Sequence, residues 1–269
     1  MRIDYAIAGP LTALNSSEAL AGVDGTAVDV CWPVHDLVIQ PSDAQRLSLP
    51  SERFQENQLR PAASLIARLL ALDPSPLITA RAPERRVIGT CRHFAVLACA
   101  LLRHHEIPSR VRCGFATYFQ PAHALDHWIV EHREPAGRWT RLDPEVLGQD
   151  VVEHAEDLPP GAFITGAEAW QAYRRGDIDA STFGVYGTEN FGPAEIRGNL
   201  VKDLAALNKI EMLPWDEWGR MTDAYNGATG QDYDELLDEV ANACAADDDD
   251  HIVALYQHPD LCVPEHLIS

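Results

Sequence analysis

Ile88-Gly89-Thr90-Cys91-Arg92-His93-Phe94 opens an apolar segment, and Phe94, Leu97, Ala98, Leu101 and Leu102 follow at helical spacing. Thr90 is placed to cap the start of this helix, and Pro108 forces an end near Glu106. Cys91 then falls in the first turn, on the same stripe as Phe94. Backbone N–H groups there have no acceptor within the helix, and the positive end of the helix dipole lies close by. Both favour a thiolate over a thiol, and the thiolate is the reactive form.

The chain after the helix reads as three strands. Val111, Cys113, Phe115 and Phe119 alternate with more polar neighbours between Arg110 and Phe119, which predicts a half-buried strand. A loop around Pro121 leads to a second strand, His127-Trp128-Ile129-Val130-Glu131-His132. Glu134-Pro135-Ala136-Gly137 reads as a turn, and Arg138 to Asp143 as a third strand stopped by Pro144. The last two strands form a hairpin centred near Pro135 and Ala136. His127 and Asp143 are equidistant from Pro135, so the pattern predicts that they face each other on one side of the sheet. A carboxylate there would hold the imidazole in one tautomer and leave the other ring nitrogen for Cys91. This is the nucleophile, base and orienter logic of thiol catalysis. A slip of one residue would send one partner to the opposite face.

Gly89-Thr90-Cys91 through Ala98, Leu101-Leu102 and Ile107-Pro108-Ser109-Arg110 resemble the nucleophile helix and following strand of the transglutaminase-like superfamily. Asp126-His127-Trp128, and Arg138-Trp139 to Leu142-Asp143-Pro144, resemble its histidine and aspartate motifs. The likeness runs from about Arg85 to Glu145. Asn199 to Lys209 and Leu213-Pro214-Trp215-Asp216 resemble a bacterial subgroup. The resemblance implies an α+β, papain-like fold with the nucleophile helix packed on an antiparallel sheet. It also implies a catalytic triad of Cys91, His127 and Asp143, with no cofactor. The superfamily holds cross-linking enzymes, peptidases, peptide N-glycanases and amide-forming acyltransferases, so the likeness leaves the reaction open. Relatives carry glycine where this chain has Glu106, at a helix cap that suits a left-handed backbone.

Arg92, Trp128 and Asn199 are candidates to border the substrate cleft. A solvated helix face explains Arg92 and His93 equally well, packing explains Trp128, and an ordinary surface position explains Asn199. Cys99 and Cys113 fall on apolar elements and read as core. Cys91, His93, Cys99, His104, His105, His123 and His127 make a Cys/His-rich region, but no spacing matches a zinc pattern such as paired C-x-x-C or H-E-x-x-H. No metal is expected. A non-catalytic module that keeps the three residues for binding is the other function class.

The 269 residues, 46% hydrophobic, suffice for a packed core. No apolar run is long enough to cross a bilayer, and the first residues lack a signal-peptide layout. The expectation is a cytoplasmic enzyme of bacterial type with six reduced cysteines. A net charge of −20 argues against nucleic acid and against anionic membranes. It serves solubility, or draws in a substrate that bears an amine. The expected partners are a peptide, amide or thioester substrate and, for transfer, an amine or an acyl-carrier protein. Sequence does not separate transfer from hydrolysis.

A single domain over residues 1–269 is expected: a catalytic core at about 60–150, a helical N-terminal part at 1–59 and a mainly helical C-terminal part at 151–269. Ala62 to Leu72, Gly166 to Arg175 and Tyr233 to Ala245 read as helices. Pro193 to Lys209 reads as an amphipathic helix with Ile196, Leu200, Leu204 and Leu207 on its stripe. Asp247 to Asp250 lack the spacing and glycine of a calcium loop, and read as a linker that caps a helix beginning near His251.

Overall fold

The computed structural model describes residues 3–15 and 18–268. In chain order it has α1 (Ala27–Cys31), β1 (Val38–Ile39), α2 (Pro41–Arg46), α3 (Ala62–Leu72), β2 (Val87–Ile88) and α4 (Cys91–His104). Then come β3 (Ser109–Ala116), β4 (Ala124–Arg133), β5 (Trp139–Leu142), β6 (Phe163–Thr165), α5 (Gly166–Arg175) and β7 (Phe183–Gly184). The chain closes with α6 (Pro193–Leu207), α7 (Met221–Tyr225), α8 (Gln231–Ala245), α9 (Asp249–Tyr256) and α10 (Glu265–Ile268). The fold is α+β, with a mainly antiparallel sheet in the order β5-β4-β3-β6 and β7 added in parallel to β4.

The chain divides into two compact units. Among the described residues, one comprises Asp4–Val111 and Ile129–Leu158, and the other Ile3, Arg112–Trp128 and residues 159–268.

α4 organises the first unit, where it packs against α1 and α3. Every residue from Cys91 to Arg103 is buried, so the helix is enclosed all round and not on one stripe. Its basic residues tolerate this because each has an acceptor. Arg92 Nη1 donates to Arg60 O at 2.7 Å. Arg103 donates to Ser109 O at 3.0 Å and to Thr12 Oγ1 at 2.7 Å. The helix ends with Glu106 in the left-handed region (φ 58), where a glycine would sit without strain.

Two short strands that the sequence does not announce lead into α4. β1 and β2 pair in parallel, Val38 against Val87 and Ile39 against Ile88. Glu56 anchors them: its buried carboxylate accepts two bonds from Arg53 (2.8 and 2.9 Å), one from Arg68 (2.8 Å) and one from the Ile88 N–H (2.9 Å). Burial alone would push this carboxyl up, but those donors outweigh it and hold it below the usual range.

The hairpin differs from the sequence expectation in register. Val130 pairs with Leu142 and Arg133 with Trp139, so the centre lies at Ala136. Gly137 takes a positive φ of 92, and the Glu134 N–H donates to Arg138 O, which leaves a three-residue loop. Asp143 is thereby level with Ile129 and not with His127. The register is therefore two residues away from the one the sequence pattern predicts.

In the second unit α6 is the central helix, in contact with α5, α7, α8 and α9. It is not amphipathic as expected: Ile196, Leu200, Leu204 and Leu207 are buried, and so are Glu195, Asn199, Lys202 and Asp203. Asp203 accepts a bidentate pair from Arg112 (2.9 and 2.8 Å) and the Cys113 N–H (3.0 Å). All eight residues of β3 are buried for the same reason. Arg110, in the first unit, is matched by Glu131 at 2.7 Å. Gly166 lets α5 lie against α6, since a Cβ there would stand 2.7 Å from the Asn199 backbone. Asp248 caps α9 through the His251 N–H at 3.1 Å, as the aspartate run suggested.

Candidate active site

Cys91 is the first residue of α4 and is 7% exposed. What precedes it is fixed by a side chain three residues later. The Thr90 N–H donates to His93 Nδ1 at 3.0 Å, which closes a capping box with histidine in the place usually held by glutamate or glutamine. That bond requires an unprotonated Nδ1. Burial, with Arg92 adding to it, pushes the His93 imidazole down to about 3, so it stays neutral at any ordinary pH. Gly89 is required by the same arrangement, because a Cβ there would lie 2.6 Å from the His93 ring. His93 is therefore part of the support of Cys91.

Asp143 follows β5 and is fully buried. Its backbone N–H donates to Ala155 O at 2.8 Å, and its carboxylate accepts the Glu145 N–H at 2.9 Å. Glu145 was not anticipated. One of its carboxylate oxygens and Cys91 Sγ lie within 4.8 Å of each other. Its Oε1 accepts from Gln40 Nε2 at 2.7 Å. Gln40 follows directly on β1. A two-residue strand has no periodicity to read, so its end could not be placed beside Gly89 from sequence. Glu145 had one signal, its position two residues after Asp143.

His127 belongs to the second unit, on β4, one residue before the chain passes into the first. It is 2% exposed and has Phe119 against its ring edge at 5.0 Å and Tyr118 at 6.0 Å. Its neighbour Asp126 is half-buried, and desolvation pushes that carboxyl up, opposed by Lys202 and by the Asn199 amide. Asn199 Nδ2 donates to Asp126 Oδ1 at 2.8 Å and to Gly114 O at 3.0 Å.

The three cleft candidates are all inside the protein: Arg92 and Trp128 are 0% exposed and Asn199 1%. Arg92 is committed to Arg60, and Asn199 to Gly114 and Asp126. None presents its side chain to solvent. Five residues of the Cys/His-rich stretch are engaged elsewhere. His93 is a cap, Cys99 Sγ lies 3.5 Å from Ser109 Oγ, His104 and His105 pack on each other, and His123 packs on Phe191.

The family model of the transglutaminase-like superfamily matches residues 72–144. No curated protein matches the chain. A solved structure from Cytophaga hutchinsonii, provisionally named a cysteine protease, shares 18% identity over 55% of this chain and 38% of its own, with a TM-score of 0.33. The chain thus spans well under half of that protein's length. The family match takes in Cys91, His127 and Asp143 and stops before α5. Over residues 72–144 the chain is thus similar to the core of the transglutaminase-like superfamily.

Proposed function

We propose that this protein is a thiol-dependent enzyme in which Cys91 is the nucleophile, His127 the base and Asp143 the group that orients it. The observation that carries this reading is the placement of Cys91 at the head of a buried, histidine-capped helix inside the family-matched core. First-turn N–H groups at that point favour developing negative charge, both on sulfur and on the carbonyl oxygen it attacks. The shared face of His127 and Ile129, with Asp143 level with Ile129, supports the choice of base and orienter.

In this mechanism His127 takes the Cys91 proton, and the sulfur attacks an amide, ester or thioester carbonyl. The Cys91 N–H meets the oxyanion. His127 then protonates the leaving group, and an acyl-enzyme remains. Water would complete hydrolysis, whereas an amine or an amine-bearing carrier protein would complete transfer. A cytoplasmic setting suits a nucleophilic thiol and six free cysteines. No helix of the described residues is long and apolar enough to cross a membrane.

Alkylation by iodoacetamide across pH, read per cysteine by mass spectrometry, tests the thiol. Half-buried Cys262 serves as the internal reference. Cys91 should react faster than Cys262 well below pH 8, and His127→Ala should remove that advantage. A Cys91 that reacts no faster than Cys262 would favour the non-catalytic binding module. A panel of acyl thioesters, with and without added amines, then separates transfer from hydrolysis.

A further inference from the structure

We infer that Gln40 supplies the second hydrogen bond to the tetrahedral oxyanion formed at Cys91, a role that rests on Cys91 being the nucleophile. β1 and β2 run in parallel and end together, with the Gly89 N–H donating to Ile39 O at 3.0 Å. Gln40 leaves one strand as Gly89-Thr90-Cys91 leaves the other. Pro41 then begins α2 and Gln40 stays extended (φ −61, ψ 143), which holds its backbone at the strand end.

The side chain is held as firmly as the backbone. Gln40 Nε2 donates to Glu145 Oε1 at 2.7 Å, and the Glu145 carboxylate reaches within 4.8 Å of Cys91 Sγ. A primary amide nitrogen has two N–H groups, and Glu145 takes one of them. The second remains for a substrate oxygen. Gln40 is half-buried, unlike the residues around Cys91 on α4, so a substrate can reach it. Other polar groups close in sequence are spent: Arg92 on Arg60 O, and His93 as an acceptor for Thr90. Glu145 is in this scheme a positioning residue that aims the amide.

The chemistry supplies a control. When 4-nitrophenyl acetate acylates Cys91, a C–S bond forms, the carbonyl π pair moves onto oxygen, and collapse expels 4-nitrophenolate. Iodoacetamide reacts with the same sulfur by displacing iodide, and no oxyanion forms. Acylation of the full-length protein is followed by 4-nitrophenolate release and by mass, in parallel with alkylation by iodoacetamide. Gln40→Met keeps the volume and removes the donor. It should slow acylation by roughly 100- to 1,000-fold, the usual cost of one oxyanion donor, with alkylation within about threefold of wild type. Glu145→Ala should slow acylation less, because the amide is retained.

Acylation of Gln40→Met within about threefold of wild type would overturn the assignment. So would a parallel fall in acylation and alkylation, which would mark a structural role. If wild-type Cys91 alkylates rapidly but no acyl adduct forms, the acyl-transfer reading itself fails and takes Gln40's role with it.

Discussion

Glu106 shows at the scale of one residue how a sequence departure becomes a structural cost. It occupies the left-handed cap of α4 (φ 58), where a Cβ is unfavourable and glycine is not. Glu106→Gly removes that strain but gives the unfolded chain more freedom. The net gain should be about 0.5–1 kcal/mol, read as a higher urea midpoint with an unchanged slope. As candidates, Cys91, His127 and Asp143 were nameable from the sequence for local reasons: a helix start, a strand and a strand end each have a signature a few residues long. Gln40 and Glu145 were not, because what matters about them is whom they touch. Gln40 bonds a residue 105 positions away. Arg92 and His93, read as cleft or surface positions, proved to be buried supports for the same reason, since Arg60 and Thr90 are the partners that use them.

At the scale of elements, the helices with apolar periodicity and clear stops were read almost to the residue: Ala62–Leu72 and Gly166–Arg175 are found at those bounds. One helix, α6, was read as amphipathic and one strand, β3, as half-buried, and both are buried throughout or nearly so. α4, α6 and β3 carry charges that normally mark a wet face, yet Arg103, Arg110 and Arg112 lie inside, matched by Thr12, Glu131 and Asp203 far along the chain. Sequence shows the charge and not its mate. The Glu56 clamp on β2 is the sharpest case, because the strand it fixes delivers Gly89 and Cys91. Glu56→Ala would leave the Arg53 guanidinium buried without its carboxylate and free the Ile88 N–H of its acceptor. A loss of roughly 3–5 kcal/mol is expected from chemical denaturation. The double change Arg53→Met with Glu56→Leu should cost clearly less than the two single changes added together, because it leaves no buried charge behind. A double variant as unstable as that sum would mean that the clamp acts through shape and not through charge.

For the whole molecule, two buried groups make stability depend on pH in opposite senses. His93 has its folded value pushed down to about 3 from an ordinary 6.5, so its contribution is complete above pH 6.5 and is lost as pH falls toward 3. Glu195 on α6 is the reverse. Desolvation, opposed by Lys202, pushes its carboxyl up from 4.5 to about 7, even with the Tyr225 hydroxyl donating to it at 3.3 Å. Its folded form holds a proton that the unfolded chain has released, so its contribution is complete below pH 4.5 and is lost as pH rises through 7. Between pH 4.5 and 6.5 the two slopes oppose each other, each at most about 1.4 kcal/mol per pH unit for a single proton. Wild-type stability should accordingly change little across that interval. Glutamine at either site keeps an acceptor and cannot titrate. Glu195→Gln should therefore expose the histidine slope, with stability rising from pH 4.5 to 6.5. His93→Gln retains the capping box and should expose the opposite slope, with stability falling over the same interval. Urea midpoints of the three proteins at half-unit steps of pH measure all of this. Parallel curves for wild type and both variants would mean that neither burial holds its proton as described, and the neutral His93 cap beneath Cys91 would have to be abandoned.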